Sequence, residues 1–113
     1  IVLIDCPPSL NLLVINALNA SQGVIIPTRP EPTDLRGTRL FLKSVEAVRS
    51  NPELNPNLTV LGVVPTMVDL RLLLHQAALE DLQSAEVPVW DVIGRTVKVG
   101  EGMLNGVALS AQL

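Results

Sequence analysis

The chain opens on Ile1-Val2-Leu3-Ile4, and no other feature narrows its fold so much. The run is short, apolar and rich in branched residues, with no polar alternation. It therefore reads as a strand buried on both faces, as in a parallel sheet. It ends in Asp5, just ahead of Pro7 and Pro8, which cannot extend a ladder. In open α/β sheets, ligands bind at the carboxyl ends of such strands. An aspartate there is placed to hold Mg2+, directly or through water, beside a nucleotide phosphate. On these few residues alone, a turn or a cap for the next helix explains it equally well.

Strand and helix signals alternate along the rest of the chain, which points to βαβ units. A helix is expected over 10–20 with Ser9 as its N-cap, then a short buried strand over 24–27. Thr33 or Asp34 can cap a helix running to Ser50, with Leu40, Val45 and Val48 on one apolar face. The Asn51-Pro52 and Asn55-Pro56-Asn57 runs mark its end. A strand is expected over 59–65, a helix over 71–84 with Leu72, Leu79 and Leu82 inward, and an edge strand over 87–90. A glycine-rich loop through Gly94, Gly100, Gly102 and Gly106 follows, then a last strand over 107–109. Parallel strands with right-handed crossovers would bring the loops after Ile4, Ile26 and Val64 to one edge.

The segment from Ile1 to Leu10, with Leu12-Leu13-Val14-Ile15-Asn16-Ala17-Leu18 after it, resembles the ParA/Soj and MinD group of partition ATPases. Three later segments are similar in the same order. These are Val24-Ile25-Ile26-Pro27-Thr28 with Glu31 and Leu35-Arg36-Gly37, the run from Leu61 to Arg71, and the run from Val92 to Gly102. The likeness covers essentially the whole chain. It implies an α/β fold, a mostly parallel sheet with flanking helices, as part of a P-loop NTPase domain of the SIMIBI type.

The resemblance also implies roles. Asp5 would end a Walker B-like strand and support Mg2+, and Pro7 and Pro8 would stiffen the loop that senses the γ-phosphate. Thr66, Met67 and Asp69 would lie against the adenine, with Gly94 standing where the family has proline. Arg71, Arg95 and, more weakly, Lys98 match positions that hold DNA through its phosphates. The implied parent binds ATP and Mg2+ as a sandwich homodimer, binds DNA non-specifically, and answers to a centromere-binding ParB-like partner. It would work in the cytoplasm, on the nucleoid. A MinD-like membrane-surface ATPase and a non-catalytic protein-binding module are the alternatives.

Composition sets limits on all of these. The 113 residues allow one domain at most, and a net charge of −3 gives no global field toward DNA or anionic lipid. Hydrophobic residues make up 48% of the chain but aromatics only 2%, so the core must be aliphatic and no base-stacking platform is available. Cys6 is the single cysteine, which excludes an internal disulfide and a CxxC site; it reads as a small buried residue. No stretch of these residues reads as a signal peptide or a membrane span. His75 has no partner motif for catalysis and reads as core or surface, and Trp90 reads as packing.

No Gly-Lys-Thr or Gly-Lys-Ser occurs, so the residues present lack the lysine and amide cradle that hold phosphates. The expectation is a carboxyl-terminal part of one ParA-like nucleotide-binding domain, over 1–113 and truncated at both ends. Its missing strands would leave apolar surface bare and the isolated chain prone to aggregate.

Overall fold

The computed structural model describes residues 1–7, 9–108 and 110. Its elements run α1 (Leu12–Ala20), β1 (Gly23–Thr28), α2 (Pro32–Ser50), β2 (Thr59–Pro65), α3 (Leu73–Gln83) and α4 (Lys98–Asn105). β1 and β2 pair in parallel from Gly23 opposite Thr59 to Thr28 opposite Pro65, with one irregularity between Val24 and Ile25. A third length of chain follows the same path, with Val89 in a parallel bridge to Val63 of β2 and Gly94 in one to Val68 just beyond it. The α/β class with a parallel sheet and flanking helices is thus as expected.

α2 lies between α1 and α3 and contributes Leu35, Val45 and Val48 to the core. Val14, Leu18, Val45, Val48 and Leu58 form one buried cluster, and Ile26, Leu35, Val63, Ala78 and Leu82 form another. Val24, Phe41 and Val60 touch both, so the two are ends of one aliphatic seam. Within it the Thr38 hydroxyl donates to the Thr28 hydroxyl at 2.9 Å. Asn55, in the loop before β2, donates its amide to the Leu18 and Ser21 carbonyls at 2.9 and 2.7 Å. Those bonds satisfy acceptors that the end of α1 leaves free.

Several expectations are corrected here. Residues 1–4 form no strand and stand exposed, because among the described residues no strand lies beside them and no helix covers them. Cys6, on the same segment, is exposed rather than buried. α1 is capped by Asn11, whose side chain accepts from the Val14 amide, and not by Ser9. α2 starts earlier than Thr33: Glu31 holds the cap position and Pro32 opens the helix, where its missing N–H costs nothing. Leu40 points to solvent while Val45 and Val48 are buried. α3 begins at Leu73, and its inward row is His75, Ala78 and Leu82, leaving Leu72 exposed and Leu79 half-buried. Residues 87–90 make a bridge rather than a strand, since Pro88 can offer its carbonyl to Val63 but no N–H. The glycine loop holds a helix, α4, closed by Gly106 in the left-handed conformation at φ 64. Val107 is not in a strand, and Leu109 lies outside the described residues.

Candidate functional site

Because β1 and β2 are parallel, their carboxyl ends open on one edge, and the loops leaving them meet there. The Thr66 amide donates to the Thr28 carbonyl at 2.8 Å, carrying the register one residue past the strands. The segment beside β2 arrives at the same edge. Ile93 donates to the Pro65 carbonyl at 2.8 Å, Val68 donates to the Ile93 carbonyl at 3.1 Å, and Arg95 donates to the Val68 carbonyl at 3.1 Å. This weave brings Thr66, Met67, Asp69, Arg71, Gly94 and Arg95 to one loop cluster.

The turn after β2 is shaped by its own side chains. Met67 takes φ 54, in the left-handed region that a β-carbon disfavours. Asp69 then folds back on Arg71: its Oδ1 accepts from the Arg71 amide at 3.1 Å and from Nε at 2.9 Å, while Oδ2 accepts from Nη2 at 2.8 Å. The guanidinium beside Asp69, with the backbone N–H of Arg71, lowers the carboxyl to about 2. The same pairing raises Arg71. Arg71 is 89% exposed, so it meets solvent as one half of an ion pair rather than as a bare cation.

His75 closes the cluster from below. Its Nδ1 accepts the Asp69 amide at 2.9 Å, and its Nε2 lies 3.1 Å from Glu31 Oε1. The side chain of Gln76 donates to the Leu70 carbonyl. Sequence reasoning left His75 without a role and Glu31 unassigned. The available signal was periodicity: His75, Ala78 and Leu82 fall at i, i+3 and i+7, so a polar ring occupies an inward position.

The remaining expected site residues are placed apart from this cluster. Asp5 and Pro7 sit on the exposed segment ahead of α1, and Pro8 lies outside the described residues. Among the described residues Asp5 has no ion pair or side-chain hydrogen bond, and no hydrogen bond ties it to the sheet edge. Lys98 is the first residue of α4, its amide bonded to the Thr96 hydroxyl. Gly94 makes its bridge without a left-handed φ, and a β-carbon there would meet only the Val68 carbonyl, at 3.9 Å. Its freedom is not required by this backbone. Trp90 packs as expected: the indole covers Gly62 and donates to the Leu61 carbonyl at 2.9 Å. Among the described residues no cluster of three metal-ligating side chains occurs, and no helix is long and apolar enough to cross a membrane.

Residues 1–60 match a protein family described as an AAA domain. Over 97% of its length the chain is 42% identical to the chromosome-partitioning ATPase Soj of Thermus thermophilus, covering 44% of that protein. It is also 42% identical, over 88% of its length, to the chromosome partitioning protein ParA of Caulobacter vibrioides, covering 38% of it. The chain therefore spans less than half the length of these relatives. Among solved structures it is similar to cobyrinic acid a,c-diamide synthase from Mycobacterium smegmatis with bound ADP and magnesium. The TM-score is 0.70 at 38% identity, over 81% of this chain and 38% of that one.

Proposed function

The chain belongs to the AAA domain family, in its ParA/Soj type of P-loop ATPase, and from that premise we propose that it is the carboxyl-terminal part of one nucleotide-binding domain in a chromosome- or plasmid-partitioning ATPase. The protein carrying it binds ATP and Mg2+, closes as a sandwich homodimer, holds nucleoid DNA non-specifically in the cytoplasm, and is stimulated by a ParB-like partner. The observation that carries this reading is the gathering of both strand-exit loops and the 91–95 segment at one edge. That edge is where nucleotides bind in open parallel sheets.

The donors present fit their share of the ligands. Asp5 is an exposed hard oxygen donor with no competing cation among the described residues, so it would hold Mg2+. Bound Mg2+ neutralises phosphate charge as the phosphoryl group transfers. Pro7 and Pro8 restrict the backbone that presents Asp5. Thr66, Met67, Asp69 and Gly94 offer the base a wall built largely of backbone, fixed by the bridges that join Val68 and Gly94. Arg95 and the paired Arg71 in the loop cluster, with Lys98 at the start of α4, are the contacts for DNA phosphates in this reading.

The test uses the intact protein. Asp5→Ala should nearly abolish ATP hydrolysis while leaving the fold unchanged by circular dichroism, and unaltered turnover would remove Asp5 from the site. Arg71→Glu combined with Arg95→Glu should weaken DNA binding and flatten the log–log salt slope by about 2. An unchanged slope would place the DNA surface elsewhere.

A further inference from the structure

His75 is the one histidine in the sequence, and its ring is 7% exposed. Both ring nitrogens are in use, and by partners on different loops. The Asp69 amide can only donate, so Nδ1 must present its lone pair. The ring proton then sits on Nε2, directed at the Glu31 carboxylate. Glu31 caps α2 directly after the exit of β1, and Asp69 lies in the turn after β2. The imidazole therefore fastens one strand-exit loop to the other from inside the fold.

The turn needs such a fastening. Met67 sits at a φ that its side chain disfavours, and it persists only where neighbours over-determine it. Thr66 is held by Thr28 on one side of Met67, and Asp69 is held by His75 on the other. Releasing the Asp69 amide loosens the turn beyond Val68, which its backbone bonds to Ile93 and Arg95 still hold, and the Asp69–Arg71 pair with it.

We propose that His75 is a positioning residue, one that, through its neutral imidazole, couples Glu31 to the Asp69 amide and so fixes the loop that faces the nucleotide base. This rests on the reading of that edge as a nucleotide site. It adds a group that touches neither base nor phosphate, and it makes Glu31 a working member of the site.

The experiment is run on the intact protein with two separate readouts. Amide hydrogen exchange at Asp69, without nucleotide, reports the fastening itself. Binding of a fluorescent N-methylanthraniloyl-ATP with Mg2+ reports its effect on the site. His75→Ala should expose the Asp69 amide to exchange and weaken binding about tenfold, equivalent to about 1.4 kcal/mol. Glu31→Leu should shift both readouts the same way, whereas Glu31→Gln, which keeps the oxygen acceptor, should restore both toward wild type. If His75→Ala does not fold, the Glu31 pair decides the matter, since that carboxylate is partly exposed. Unchanged protection of Asp69 in the folded variants overturns the proposal, as does unchanged affinity in a protein that binds the probe. If wild type fails to bind the probe while exchange responds as expected, the nucleotide reading falls and the fastening stands.

Discussion

Residues 1–4 and residues 60–64 are both aliphatic runs that read as strands, and they meet opposite fates. In β2, Val63 is fully buried and Val64 nearly so. In the opening run Ile1, Val2 and Leu3 stand almost wholly in solvent, and Ile4 is half exposed. Intrinsic preference does not separate them. β2 has β1 on one side and the Val89 segment on the other, with α2 and α3 over its face. Among the described residues the opening run has no strand beside it. Strand propensity measures fitness for a half-buried pleated surface, and the surface itself must come from elsewhere.

The sharpest way to break this contrast is a pair of truncations read by urea unfolding at low protein concentration. Leu58→Ala, at the buried entry to β2, should lower the unfolding free energy by about 2–5 kcal/mol. Leu3→Ala should change it by less than about 0.5 kcal/mol. Equal losses in this chain would mean that the opening run is buried in solution after all. A large loss at Leu3 only in the intact protein would show that residues beyond this chain cover it.

A smaller effect is expected at Gly62, where a β-carbon would fall on the indole of Trp90. Gly62→Ala should cost about 1–3 kcal/mol and shift the emission of the chain's single tryptophan as the ring moves off β2. Unmoved fluorescence would show that Trp90 does not cover β2 there.

The smallest effect concerns pH. Arg71 holds the Asp69 carboxyl at about 2 in the folded chain against an ordinary 3.8. A depressed folded value stabilises above the unfolded value, so the contribution is whole above about pH 4. It is lost as pH falls through about 2. Arg71→Ala should return the Asp69 titration toward 3.8 by NMR, and an unshifted curve would dissolve the pair. Arg71, the partner in the pair, is solvent-exposed, so global stability should move little.

The fold was legible wherever local pattern and tertiary context agree. The 59–65 strand and the body of the 32–50 helix follow from branched runs, turn residues and apolar spacing. The opening strand was misjudged because a sequence records the wish to be buried and not the presence of a partner. Ser9 lost to Asn11 because two nearby residues could cap, and only the final chain direction chooses. Of the candidate site, the placing of the loops after Ile26 and Val64 on one edge was legible from element order, whereas Gly94 and Arg95 entered through the resemblance alone. The His75–Glu31 link was not legible: it spans 44 positions, and no local pattern encodes which carboxylate an inward histidine meets.

The parallel pairing of β1 with β2 carries a consequence for the timing of assembly. No tight hairpin can join two parallel strands, so the first rung of this ladder waits until all of α2 and its flanking loops have been bridged. Loop closure is charged before any long-range contact forms, which makes such pairings slow. During synthesis β1 emerges well before the strand it needs. α2, which can form its own turns and packs on both neighbouring helices, is the natural first structure, and the rate at which it nucleates should govern how long β1 waits unpaired.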